Sequence, residues 1–199
     1  TGALYVWSVF AGPVALRLTE LTGNTVTTAQ LGSVFGLATG ITPVLMLAGG
    51  YVNDRMGPKA VISVGGLAIA AGYLLSAVAD TVGMLYVTYG LLVGAGTGLV
   101  NGCTINTSVK FFPDRRGFAG GAVTASLGIG AAVLPFAAGA LISSVGIAST
   151  LATFGVASGV VIVAAALVTQ KCPDNFADAF VLPGQSARTT VNLNWLGMV

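Results

Sequence analysis

The sequence predicts an all-α membrane protein, a bundle of six transmembrane helices, and three observations carry that expectation. Hydrophobic residues make up 55% of the chain and charged residues 7%, with a mean hydropathy of +0.91, whereas soluble domains carry roughly a quarter charged residues. Six apolar runs meet or approach the length of about 20 residues that a helix needs to cross hydrocarbon. The charged residues, eight basic and six acidic, all fall outside these runs or at their ends.

The first run, Gly2 to Leu16, ends before Arg17 and Glu20. The chain opens at Thr1 already apolar, with no charged region that would mark a signal peptide, and reads as a span truncated at its start. The second run extends from Ala29 to Gly49, the third from Ala60 to Ala79, the fourth from Thr81 to Thr107, the fifth from Phe118 to Val145 and the sixth from Ile147 to Val168. Residues 1–170 form the bundle in this reading. Residues 171–199, opening on Lys171-Cys172-Pro173-Asp174 and containing Pro183, Gly184 and Arg188, read as a cytoplasmic loop.

Short loops rich in Lys and Arg stay in the cytoplasm. Between the second and third runs lies Gly50-Tyr51-Val52-Asn53-Asp54-Arg55-Met56-Gly57-Pro58-Lys59, a short charged turn whose charges must sit in water or headgroups. Placing it inside puts Arg55, Lys59, Lys110, Arg115, Arg116, Lys171 and Arg188 on the same side and leaves Arg17 outside, seven of the eight basic residues. The expected setting is therefore a multi-pass protein of the cell membrane with the segments at Asp54 and Asp114 and the tail after Gln170 cytoplasmic.

Several functions are disfavoured. The chain has no His, and Cys103 and Cys172 fall in a span and a loop, so no metal site, disulfide framework or cofactor is expected. The net charge of +2 comes without a basic patch interleaved with aromatics, so no nucleic-acid partner is expected. Neither an H-E-x-x-H motif nor an intramembrane acid pair is present, and the reading is not an enzyme. A buried proton relay would need an ionisable group at depth, and the runs offer none.

What the runs do offer is glycine and a few polar side chains. Gly90, Gly94, Gly98 and Gly102 recur every four residues in the fourth run, and Gly32, Gly36 and Gly40 repeat the device in the second. Helices in lipid associate by packing, so such stripes read as close-contact faces more readily than as gates. At about 100° per residue, Tyr86, Thr97, Asn101, Thr104 and Ser108 share one sector of the fourth span. Asn101 belongs against protein or a cavity, either bonding another helix or lining a substrate path. On the first span Tyr5, Ser8 and Gly12 share a face, and Tyr5 either packs or donates a hydrogen bond to a carboxylate. Pro135 removes one backbone hydrogen bond from the fifth span and marks a kink.

The pattern Gly50, Asp54, Arg55, Gly57, Lys59 resembles the signature loop of the major facilitator superfamily of secondary transporters. A second charged segment, Asp114-Arg115-Arg116-Gly117, follows sixty residues later, about two spans away. Within it, Phe111-Phe112-Pro113-Asp114-Arg115-Arg116-Gly117-Phe118-Ala119-Gly120-Gly121 is similar to a segment of the oxalate/formate antiporter family, and less closely to the monocarboxylate porters. Gly130 to Gly139 is similar to the antiporter motif G-x-x-x-G-P-x-x-G, with Leu134 in place of its second Gly, and Gly90 stands where many members place an Arg.

The resemblance implies one half of a twelve-helix fold, the amino-terminal lobe, with the loop after 170 leading to a second lobe as its partner. It also implies alternating-access transport of small organic anions, with Asp54, Arg55 and Lys59 as a conformational latch and Tyr5, Thr97, Asn101 and Thr104 as candidates for the substrate path. The alternatives are a carrier of another substrate class or a channel-like bundle without alternating access.

Overall fold

The computed structural model describes residues 2–173. A short 3-10 stretch, Gly2–Val6, leads into α1, Trp7–Thr22. α2 is Thr28–Met56 and α3 is Pro58–Ala77. α4 runs over Val82–Phe111, and Arg116–Val168 is helical throughout except at Gly146. Four stretches, Thr28–Met56, Pro58–Ala77, Val82–Phe111 and Arg116–Val168, are long and apolar enough to cross a membrane. The last has 53 residues, which as one rod would be about 80 Å long, far beyond a hydrocarbon core of about 30 Å. Gly146, at φ 79° and ψ 170°, divides it into α5, residues 116–145, and α6, residues 147–168. That conformation is open to glycine and strained for other residues. The break therefore falls at Gly146, the boundary that the apolar runs indicate, and the helix continues through Pro135.

The described chain is thus a six-helix bundle without strands among its described residues. Two helix ends are closed by side chains. Thr27 opens α2 with a reciprocal cap, its hydroxyl accepting from Gln30 N while Gln30 Oε1 accepts from Thr27 N. At the other end of α3, Arg17 Nη1 donates to Ala77 O at 2.6 Å, placing a cation on the negative end of that helix.

The middle of the bundle is an aromatic cluster from four helices. Trp7 and Tyr89 have ring centroids 4.0 Å apart, Tyr73 meets Tyr89 edge-on at 5.6 Å, and Phe10 meets Phe154 edge-on at 5.5 Å. Two of their polar handles are satisfied by backbone. Trp7 Nε1 donates to Leu31 O and Tyr89 Oη to Leu4 O, both at 3.0 Å. An aromatic N–H or O–H left unpaired in hydrocarbon would cost several kcal/mol, so these bonds fix how α1 sits against α2 and α4.

Glycines decide how near α4 comes to its neighbours. A Cβ added at Gly94, Gly98 or Gly102 would lie 2.7, 2.5 or 2.1 Å from the carbonyl oxygens of Ala38, Thr42 and Met46 on α2. Gly90, the fourth of the expected stripe, meets the side chain of Leu37 and no backbone among its three nearest atoms. On its other side α4 meets α3 through Gly96, where an added Cβ would be 2.6 Å from Gly65 O. Between Tyr86 and Val93 α4 widens into π-type winding, and that stretch holds Tyr89 in the aromatic cluster.

The second expected stripe is corrected. Gly32, Gly36 and Gly40 have nothing within 4 Å of an added Cβ. α2 meets α4 through Ala38, Thr42 and Met46, and two residues from Gly36 to Ala38 turn the helix by about 200°. The stripe therefore lies on the far face.

Gly98→Val and Gly36→Ala separate the two faces experimentally. Gly98→Val should cost about 1–3 kcal/mol by overpacking and lower the thermal midpoint in detergent. Gly36→Ala should leave it unchanged or slightly raised. Equal midpoints for both variants would show that α2 and α4 are not in backbone contact.

Candidate functional site

α2 does not stop where its apolar run stops. It continues past Gly49 for about two turns, to Met56, and Gly57 alone joins it to α3, whose first residue is Pro58. Gly57 adopts φ 84°, and Pro58 lacks an N–H that would have no partner in a first turn. The expected turn over residues 50–59 is therefore corrected. Gly50, Asp54 and Arg55 are helical, Lys59 is exposed in the first turn of α3, and Gly57 makes the turn. The reason is length: 29 residues make a helix of about 43 Å, so the apolar part fills a bilayer and the last turns project beyond it.

Asp54 is held on that projecting end. Lys110 Nζ lies 2.6 Å from Asp54 Oδ1. Asn106 Nδ2 donates to the same oxygen and to Gly50 O, each at 3.1 Å. Asn106 and Lys110 stand one turn apart on α4 and so share an edge of it. Asn53 Nδ2 donates to Thr107 Oγ1 at 3.3 Å, and its Oδ1 is buried without a partner among the described residues.

Asp54 lies beyond the apolar part of α2, and the hydrogen bond from Lys110 holds its carboxyl below the ordinary value of 3.8, against a smaller upward push from partial burial. The pair is 46% and 52% exposed, so its net worth is no more than about 1 kcal/mol. It registers the ends of α2 and α4 more than it stabilises the bundle. Arg55 takes no part, since its guanidinium stacks 4.5 Å from the centroid of the Tyr51 ring.

The second charged segment comes to the same end. Pro113–Arg115 is a single 3-10 turn, and Arg116 opens α5. Asp114, Arg115, Arg116 and Gly117 are exposed. Asp54, Lys110, Arg116 and Lys171 line one cavity of about 510 Å³. Cys172 closes one side, its Sγ donating to Lys110 O at 3.7 Å, while Cys103 is buried beside Pro58 O.

The expected substrate-path residues are dispersed. Tyr5 is 51% exposed near the start of the chain, and Ser8 Oγ donates to Tyr5 O at 3.2 Å. The neighbouring Leu4 is bonded to Tyr89; Asn101 and Thr104 lie 12 and 15 residues further along α4, about 18–22 Å away. Thr97 is buried. Thr104 donates to Val100 O and opens into a pocket of about 290 Å³ shared with α3 and α6. Asn101 is half-buried, and its side chain has no hydrogen-bond partner among the described residues.

Comparison with known proteins fits this arrangement. Residues 2–193 match the profile of the Major Facilitator Superfamily. The chain belongs to the major facilitator superfamily. It is 36% identical over 170 residues to the oxalate:formate antiporter of Oxalobacter formigenes, covering 84% of this chain and 38% of that protein. It is 28% identical over 172 residues to YhjX of Escherichia coli, described as an uncharacterized MFS-type transporter, covering 86% and 41%. Monocarboxylate transporter 9 of Rattus norvegicus is 32% identical over 108 residues, 54% of this chain and 20% of that protein. The chain therefore spans about two fifths of the length of the first two relatives. As a superfamily member it is a multi-pass membrane protein of a transporter family.

Sequence reasoning missed Lys110, Asn106, Asn53 and Thr107 as partners at the Asp54 end. The signal was present, because Asn106 and Lys110 are four residues apart at the end of the span whose glycines fix its contact with α2.

Because the Asp54 carboxyl is held low in the folded chain, its contribution is complete above the range of a free carboxyl and is lost as pH falls through the lowered value. Asp54→Asn should lower the thermal midpoint by no more than about 2 °C at pH 7, and the difference between variant and wild type should begin to shrink near 3.8 and vanish only below the lowered value of the folded chain. A midpoint loss that persists in acid would mean that the Asn side chain, not the missing charge, is responsible.

Proposed function

We propose that this chain is the amino-terminal lobe of a secondary transporter that exchanges small organic anions, of the oxalate, formate or monocarboxylate kind, by alternating access. The observation that carries the reading is the 36% identity, across 84% of this chain, to a protein named for oxalate:formate antiport. In this reading the second lobe is the partner, reached through residues 171–199, and the Asp54 end faces the cytosol with the Asp114 segment and the tail after Gln170. The weight of Lys and Arg at that end supports the orientation.

The geometry gives each part a task. Asp54 couples α2 to α4 through an exposed, weak and breakable pair, which suits a latch that holds in one access state and opens in the other. Gly50 offers its carbonyl to Asn106, and Gly57 sets the angle of α3. The open stripe at Gly32, Gly36 and Gly40 gives the second lobe a smooth surface to approach. Asn101, with a free carboxamide and no charge nearby, is the strongest candidate for a wall of the substrate path, with Thr97 beside it and Tyr5 nearer the opposite mouth. The basic groups that would balance an anion's charge then belong to the second lobe.

The test is counterflow in vesicles reconstituted with the full-length carrier. Uptake of labelled oxalate should rise about tenfold when unlabelled oxalate is inside; flux indifferent to internal substrate would instead identify a channel-like bundle. Asp54→Asn should slow exchange by no more than about fivefold, equivalent to about 1 kcal/mol of bias between states, with membrane yield unaltered. Unchanged exchange in that variant would remove the latch. Asn101→Ala should raise the KM for substrate by several-fold, and an unchanged KM would take Asn101 off the path.

A further inference from the structure

Tyr5 stands in the 3-10 stretch Gly2–Val6, which other helices pin before and after it. Gly2 presses on α5, where an added Cβ would be 3.1 Å from the Cα and the carbonyl carbon of Gly130. Directly before Tyr5, Leu4 O accepts the Tyr89 hydroxyl of α4 at 3.0 Å. Two residues after it, Trp7 Nε1 donates to Leu31 O of α2. Leu4, Val6 and Trp7 are buried between these contacts, whereas Tyr5 is 51% exposed. Its hydroxyl has no hydrogen-bond partner among the described residues.

Where such a side chain points follows from the winding of its backbone. A 3-10 turn advances about 120° per residue and an α-helix about 100°, so relaxation to α-winding would re-aim Tyr5, two residues from Trp7, by about 40°. A turn of that size takes a phenol hydroxyl out of hydrogen-bond reach. Tyr89 is well placed to prevent it. It is fully buried, its ring centroid is 4.0 Å from that of Trp7, and the equally buried Tyr73 hydrogen-bonds to it. Tyr89 cannot touch a substrate itself, and its effect on Tyr5 passes through the Leu4 carbonyl, one peptide away.

On the reading that Tyr5 belongs to the substrate path, on which this rests, we infer that Tyr89 is a positioning residue for Tyr5, aiming its hydroxyl at a carboxylate of the carried anion, with the Gly2–Gly130 contact as second support. A tyrosine hydroxyl donating to a carboxylate makes a charge-assisted hydrogen bond. Holding that donor in place before the anion arrives lowers the ordering cost of binding.

Rates of oxalate exchange by the reconstituted full-length carrier, resolved into KM and kcat, test the assignment. Tyr5→Phe should raise KM about tenfold, the loss of one hydrogen bond to a charged group. Tyr89→Phe keeps the ring and its stacking, and should raise KM about three- to tenfold with kcat within about twofold. The Tyr5→Phe/Tyr89→Phe variant should be no worse than Tyr5→Phe, because Tyr89 acts through a group already removed. Tyr73→Phe breaks the neighbouring bond and leaves the one to Leu4, so its KM should stay at the wild-type value. Gly2→Val should reproduce the rise by forcing the stretch off Gly130, and it carries the test if Tyr89→Phe does not fold. Effects of Tyr5→Phe and Tyr89→Phe that multiply, or an equal rise in Tyr73→Phe, would mark a general loosening of the core and overturn the assignment. A KM raised by Tyr5→Phe but untouched by Tyr89→Phe or by Gly2→Val overturns it as well. A KM untouched by Tyr5→Phe itself removes Tyr5 from the path, and the positioning role falls with it.

Discussion

Hydrocarbon gives two helices no solvent-driven reason to associate, so what holds this bundle is how closely its surfaces fit. The contact on which most else depends is that of α2 with α4, where Gly94, Gly98 and Gly102 leave no room for even a methyl group against the carbonyls of Ala38, Thr42 and Met46. Three successive turns of contact leave little freedom to slide. The register continues to Gly49, whose added Cβ would be 2.9 Å from Leu99 O, and then to the hydrogen bond from Asn106 to Gly50 O. The polar cluster at Asp54 is thus the end of a packing seam. Its ion pair is weak because it does not need to be strong; dispersion along the seam has already set the distance.

That division of labour also explains why charge can sit where it does. Asp54, Lys110, Arg116 and Lys171 are gathered at one end by helices whose positions are fixed by uncharged groups. A surface pair held in this way can break and reform without risk to the fold. Had the pair been buried, removal of one partner would have stranded a charge at a cost of several kcal/mol, and stability and switching would have been tied together.

The sequence made the large features legible because they rest on strong physical exclusions. Charges cannot enter hydrocarbon, so the helix count and the gathering of Asp54 with Arg116 could be read from where charges fall. Glycine every fourth residue in α4 marked a close contact that the structure contains. The same rule misled for Gly32, Gly36 and Gly40, because periodicity reveals a smooth face and not which neighbour meets it. The segment 50–59 was read as a turn because polarity marks the water boundary, while helix ends are set by backbone conformation, here at Gly57. Lys110 was legible as a charge but not as a partner, since pairing depends on the crossing of α2 and α4. Helical angle places Thr104 on the polar sector of its own span but cannot relate it to Tyr5 on another, and their separation along the membrane normal needed the contact of Leu4 with Tyr89 to be seen.

A remaining feature links the core to the polar face. The π-type winding at Tyr86–Val93 accommodates an additional residue relative to α-helical winding, and each residue added or removed turns the remainder of a helix by about 100°. The direction in which Thr97 and Asn101 point is therefore set upstream, where Tyr89 is locked by Trp7, Tyr73 and the Leu4 carbonyl. The aromatic cluster and the glycine seam accordingly constrain α4 from two sides, one fixing its rotation and the other its distance from α2. A polar face oriented in this way needs no ionic partner of its own, which is why the interior can remain without charge while still presenting a defined hydrogen-bonding surface.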